Sequence, residues 1–279
     1  MREVEPGEVL RINAEGLVSE RAVAPRKKAL CIFEHVYFAR PDSVMDGATV
    51  QSMRVKMGEQ LARESAVEAD LVIGVPDSGL PGAEGFSRAS GIPCRTGFVK
   101  NRYVGRTFIQ PTQEMRELGV RLKLNPLRET IEGKRVVVVD DSIVRGTTSK
   151  QIVRMLREAG ATEVHMRIVS PEVKWPCFYG IDTDTQDQLI SARKTPEEVC
   201  EWIGADSLAF LSVEGLLSCV PEGGYCCSCF DGAYPVEIPA VFSQGKFLDG
   251  YTPNNLTKAS ANSHRSVSDV AREIEKEYE

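Results

Sequence analysis

Residues Arg135 to Thr148 read RVVVVDDSIVRGTT, and the reading of this stretch decides the fold. Val136 to Val139 form a short continuous apolar run of the kind expected from a strand buried on both faces. Asp140 and Asp141 stand where that strand would end, and Ser142 to Thr148 follow with hydroxyls, an arginine and a glycine. Beyond them Ile152, Met155, Leu156 and Ala159 recur at helical spacing. Strand, acidic pair, small-residue loop and helix predict an α/β fold with a mostly parallel central sheet flanked by helices. In an open sheet of this type ligands bind beyond the carboxyl ends of the strands. A helix N-terminus there offers free N–H groups and a positive dipole end to a phosphate. Thr147 and Thr148 add hydroxyl donors, and Gly146 lets the backbone come close. Carboxylates repel a phosphate, so the acidic pair suits ribose hydroxyls, a cation or both.

The stretch resembles, over its full length, the phosphoribosyl pyrophosphate (PRPP) motif of type I phosphoribosyltransferases. The resemblance implies the type I fold. It also implies that Asp140, Asp141, Ser142, Ile143, Val144, Arg145, Gly146, Thr147 and Thr148 bind PRPP. A second stretch, Leu71 to Ser87, reads LVIGVPDSGLPGAEGFS and again has strand, turn and helix character. Asp77, Ser78 and Gly79 sit at its turn, where backbone amides can form an anion nest. Pro-Asp-Ser-Gly is also ordinary turn chemistry. In the resembling family this is the pyrophosphate loop, and a diphosphate ester needs a second phosphate loop. The same resemblance assigns Mg²⁺ to Ser78, Asp140 and Asp141.

Between these stretches lies FVKNRYVGRTFIQPTQEMRELGVRLKLN, Phe98 to Asn125, with Lys100, Arg102, Arg106, Arg116, Arg121 and Lys123 among Tyr103 and Phe108. Cations interleaved with aromatics fit nucleic-acid contact, but the chain is acidic overall, at net −6, which argues against that footprint. A solvated basic loop and a lid that closes over an anion are the other readings. The string resembles the lid of glutamine PRPP amidotransferases, a family in which Lys100, Tyr103 and Arg106 would correspond to catalytic lid residues.

There are eight cysteines. Met1 is followed by Arg2, Glu3 and Glu5 rather than an apolar signal, so a cytoplasmic chain with disfavoured disulfides is expected. Cys226 and Cys229 form a C-x-x-C pair in GGYCCSCFDGAYP, which alone leaves zinc, iron–sulfur and redox roles open. In the iron–sulfur class of the resembling family two distant cysteines complete a set of four. One lies in CIFEHVYFARPDS and the other in PCFYGID, here Cys31 and Cys177. The resemblance therefore implies a [4Fe–4S] cluster on Cys31, Cys177, Cys226 and Cys229, with Zn²⁺ as the alternative occupant of four thiolates. Cys94, Cys200 and Cys219 read as packed core thiols, and Cys227 as a bystander.

At 279 residues and 42% hydrophobic content the chain is long enough for a full α/β core. No apolar run approaches the roughly 18 residues of a membrane span. Val50 to Glu64 has mixed helical periodicity, and Thr195-Pro196-Glu197-Glu198 reads as a capping box opening a helix through about Ile203. Three parts are expected: residues 1–30 as the end of an upstream domain and its linker, 31–245 as the phosphoribosyltransferase domain with a cluster-binding C-terminal segment, and 246–279 as a polar tail. The resembling enzymes carry an N-terminal glutaminase domain whose nucleophile is a terminal cysteine. Here the first cysteine is Cys31, so glutaminase activity is not expected. The implied reaction is formation of 5-phosphoribosylamine from PRPP in the first step of purine synthesis. Ammonia, or a separate glutaminase chain, would supply nitrogen, and the enzyme would be a homo-oligomer. A non-enzymatic PRPP-binding regulator and an inactive remnant of the amidotransferase are the alternatives.

Overall fold

The computed structural model describes residues 4–25, 27–101, 123–181, 183 and 185–238. Its centre is a four-stranded, wholly parallel sheet. In chain order the leading elements are β1 (Glu8–Asn13), β2 (Gly16–Arg21), β3 (Leu30–Cys31), α1 (Val50–Glu64), β4 (Leu71–Gly74) and α2 (Leu80–Ser90). They continue with β5 (Phe98–Lys100), β6 (Leu124–Pro126), β7 (Arg135–Asp140), α3 (Thr147–Glu158) and β8 (Glu163–Ile168). Last come α4 (Pro196–Ile203), β9 (Ser207–Phe210), α5 (Val213–Ser218) and β10 (Tyr225–Cys226). The sheet order is β9-β8-β7-β4. Val136 pairs with Leu71 on one side and Val164 on the other, so β7 is interior to the sheet.

The valine run explains both layers. Successive strand residues face opposite sides. Val137 and Val139 pack with Met53, Met57 and Leu61 of α1 and with Ala83 and Phe86 of α2. Val136 and Val138 pack with Ile152 and Leu156 of α3 and with Val199 and Ile203 of α4. All four valines are fully buried. The predicted parallel sheet with flanking helices is thus observed, as are the helices at Val50–Glu64 and Pro196–Ile203. Both halves of the capping box form: Glu198 N–H donates to Thr195 Oγ1 at 3.3 Å and Thr195 N–H to the Glu198 carboxylate at 2.8 Å. The helix after the acidic pair stops at Glu158, with Ala159 as its cap.

Outside the sheet, β1 and β2 form an antiparallel ribbon whose Ile12 and Leu17 face solvent together. Among the described residues no helix is long and apolar enough to cross a membrane. The expectation for Cys94 fails. Its residue is exposed, at an isolated bridge to Val72 beside the sheet edge. Cys219 is buried as expected, and Cys200 is half-buried, its thiol donating to Ala205 O.

Helices α1 and α2 cross on glycine. A Cβ at Gly58 would lie 1.9 Å from Gly82 O, and one at Gly85 would lie 1.9 Å from Val55 O. Both obstacles are backbone, so the helices would have to separate. Gly85→Ala is expected to cost about 1–3 kcal/mol by overpacking, read as a lower urea midpoint at unchanged slope. Lys56→Ala, on the exposed side of α1, should leave the midpoint nearly unchanged.

Candidate functional site

The site forms where β7 ends. Asp140 is the last residue of that strand and Asp141 the next, and both are largely buried. Their carbonyls accept from Val169 N–H and Ser170 N–H at 3.0 Å each, which fixes the backbone of the pair. One Asp140 oxygen accepts from Asp141 N–H at 2.9 Å. Asp141 accepts two hydroxyls, Ser78 Oγ at 2.6 Å and Ser142 Oγ at 2.7 Å. Its carboxylate therefore joins the turn after β4 to the loop after β7. Burial, and then the neighbouring Asp141 charge, push the Asp140 carboxyl well above the usual carboxylate range.

The turn after β4 approaches the sheet closely. Val75 N–H donates to Val139 O at 2.9 Å, and Gly79 N–H to Val75 O at 2.9 Å. A Cβ at Gly79 would meet Val139 O at 2.4 Å, so only glycine fits. The Pro76–Asp77 peptide bond is cis. Asp77 is ion-paired with Lys100, which ends β5. This brings one residue of the predicted lid to the turn, while Tyr103 and Arg106 lie outside the described residues.

In the loop after β7 the predicted residues do different things. Ile143 is buried in the apolar layer on the α3 side of the sheet, and Val144 packs half-buried against the layer on the α1 side. Arg145 lines a cavity. Gly146 takes φ 75° and caps α3, whose first two residues are Thr147 and Thr148. The N–H groups of that first helical turn have no partner within the helix and are free for an anion.

Sequence reading missed Arg54. It lies on the buried face of α1, only 3% exposed. Its Nε donates to His35 O and its Nη2 to Ala39 O, both at 2.8 Å. Burial lowers its pKa, and the Asp141 charge acts the other way. The available signal was a cation at a helical position spaced with Val50, Met57 and Leu61.

The four predicted metal cysteines come from distant segments that meet. Cys31 of β3 pairs in register with Cys226 of β10. Burial, and then Cys31, Cys226 and Cys177, raise the Cys229 thiol. Burial is also the main cause raising Cys31, with Cys226 and Cys177 adding to it. Cys227 is pushed up to about 12 by burial and by Asp231, Cys226 and Cys31. Among the described residues no group of three or more His, Cys, Asp or Glu side chains is arranged to hold a metal ion. The segments converge without forming a coordination shell.

Residues 56–170 match the family model described as phosphoribosyl transferase domain. The chain is 58% identical over 250 residues to an amidophosphoribosyltransferase of Synechocystis sp., covering 89% of this chain and 50% of that protein. It is 57% identical over 244 residues to an amidophosphoribosyltransferase of Bacillus subtilis, covering 85% and 51%. A solved glutamine PRPP amidotransferase from B. subtilis, complexed with ADP and GMP, matches with a TM-score of 0.77 at 57% identity, covering 86% of this chain and 54% of that one. The fold is the type I phosphoribosyltransferase fold. The chain spans about half the length of the curated relatives it matches.

The raised Asp140 carboxyl has a stability consequence. Its folded pKa lies above the unfolded one, so its contribution is fully present below the unfolded value, about 3.9. That contribution is lost as pH rises through the folded value. Asp140→Asn removes this loss. Without divalent ions, its thermal midpoint should equal or exceed that of the wild type at pH 8, and the wild-type advantage from this group should be confined to acid. Calorimetric scans at pH 5 and pH 8 check it.

Proposed function

We propose that this chain transfers the phosphoribosyl group of PRPP to ammonia, forming 5-phosphoribosylamine in the first step of purine synthesis. The observation that carries the reading is Asp141, whose carboxylate holds Ser78 of one turn and Ser142 of the other loop. Two anion-facing turns joined by one carboxylate suit a molecule with a phosphate at one end and a diphosphate at the other.

In this reading the 5′-phosphate lies against the loop Ser142–Thr148 and the first turn of α3. The diphosphate lies against Asp77, Ser78 and Gly79. Asp140 and Asp141 meet the ribose hydroxyls and stabilise the positive charge that develops on the sugar as the C1–O bond breaks. Lys100, with Tyr103 and Arg106, attends the leaving diphosphate. Ammonia attacks C1 with inversion, and no side-chain nucleophile is needed, so the rate comes from positioning and charge. Magnesium fits the site because it is typically held by one or two carboxylates plus substrate phosphates. When bound through Ser78, Asp140 and Asp141 it would neutralise the diphosphate.

The second part of the reading concerns the cysteines. Cys31, Cys177, Cys226 and Cys229 supply a four-thiol donor set, and the raised Cys31 and Cys229 thiols would be relieved by a cation that binds them as thiolates. We assign them a [4Fe–4S] cluster, with zinc as the alternative occupant. Its contribution would be to fasten distant segments together.

The deciding experiment measures phosphoribosylamine from PRPP and Mg²⁺, with ammonium salts and with glutamine in parallel. Turnover with ammonium salts should rise with pH as free NH₃ increases. The double variant Asp140→Asn, Asp141→Asn should lose about 10²-fold or more. Absence of Mg-PRPP binding by calorimetry would remove the reading, and binding without turnover would favour a regulator or remnant. Protein purified anaerobically should carry about four irons and four sulfides per chain, whereas one zinc and no sulfide would select the alternative.

A further inference from the structure

The phosphate loop is supported from behind by a segment to which the sequence assigned no role. Ile190 N–H donates to Val144 O at 2.9 Å. A Cβ at Gly146 would meet Trp202 Cζ3 at 2.7 Å and Ile190 Cδ1 at 2.9 Å, so these two side chains fill the space beside the bare α-carbon. Lys150, one turn into α3, holds its ammonium 4.7 Å from the centroid of the Trp202 ring. The Lys150 N–H also donates to Gly146 O at 2.9 Å. Trp202 thus touches the glycine that caps α3 and the lysine that follows it.

The support is itself anchored. Trp202 sits on α4, whose start is set by the capping box at Thr195 and whose Val199 and Ile203 are buried in the core. Trp202 also lines a cavity of about 420 Å³ together with Arg145, Asp187 and Arg193. The ring is therefore held by α4 and by the loop, beside that cavity.

We propose that Trp202 is a positioning residue for the phosphate loop, holding Gly146 so that the N–H groups at the start of α3 converge on the 5′-phosphate. The proposal rests on the PRPP reading and deepens it. Glycine at positive φ has many conformations available once its neighbour is removed. Donors that must be re-ordered at each binding event bind less tightly. The indole makes no contact with the reacting carbon in this reading, so its loss weakens ground state and transition state alike.

The test uses Trp175→Phe, which leaves Trp202 as the sole tryptophan of the two in the chain. Ribose 5-phosphate, titrated against its fluorescence, probes the phosphate subsite alone. Calorimetry and kinetics, which need no tryptophan, follow the Trp202 variants. Trp202→Ala should raise the Kd for ribose 5-phosphate and the KM for PRPP by about tenfold, with kcat nearly unchanged. Trp202→Phe should restore most of the affinity. Lys150→Met, on the exposed side of α3, removes only the cation over the ring and should raise both constants by about two- to threefold. It decides the matter if Trp202→Ala fails to fold. Wild-type affinity in both Trp202→Ala and Lys150→Met, or a fall in kcat at constant KM, overturns the positioning role. No binding of ribose 5-phosphate or PRPP by the wild type overturns the PRPP reading and the positioning role together.

Discussion

The constraint on which the rest depends is a strand apolar on both faces that ends in two carboxylates. A strand of valines inside a sheet has no wet side, so whatever ends it emerges from the core already desolvated. Asp140 and Asp141 emerge there. A buried carboxylate is tolerable only with donors around it, and each neighbouring element supplies some. The turn after β4 gives Ser78, and the loop after β7 gives Ser142 and a backbone N–H, while Arg54 on α1 acts on Asp141 through its charge. The architecture of the sheet end is therefore largely a set of answers to one electrostatic cost.

The same logic recurs where the cysteine-bearing segments meet. Burial raises the Cys31 and Cys229 thiols, and neighbouring cysteines raise them further. Acid pair and thiol set are both concentrations of potential negative charge in partly dry surroundings. Arg54 binds the carbonyls of His35 and Ala39, in the segment that follows Cys31, and its charge interacts with that of Asp141.

How much of this was legible depended on whether a feature is local in sequence. The valine run, the acidic pair, the Pro-Asp-Ser-Gly turn and the capping box each lie within a few consecutive residues, and each reads correctly as an element and a position. Cys94 was misread because apolar neighbours in sequence, Ile92 and Gly91, do not determine which way an edge residue faces. Trp202 and Ile190 were invisible as partners of Gly146, because their relation to it is tertiary: the helix of Trp202 reads as an ordinary amphipathic one, and Ile190 lies in a short turn before it. Arg54 left a trace, a cation out of pattern on a buried helix face, yet the residues it bonds are backbone carbonyls that no pattern announces.

One pairing has a kinetic side. Leu30 and Cys31 lie in parallel register with Tyr225 and Cys226, so two short strands close a loop of roughly two hundred residues. The entropy of closure grows only slowly with length, but contacts of such separation form late and slow the search. The four-stranded sheet contains all its own strands between residues 71 and 210 and can assemble before that closure occurs. During synthesis the cysteine-bearing strand near the start must wait for nearly the whole domain to follow, and its exposed thiol is most vulnerable to oxidation in that interval.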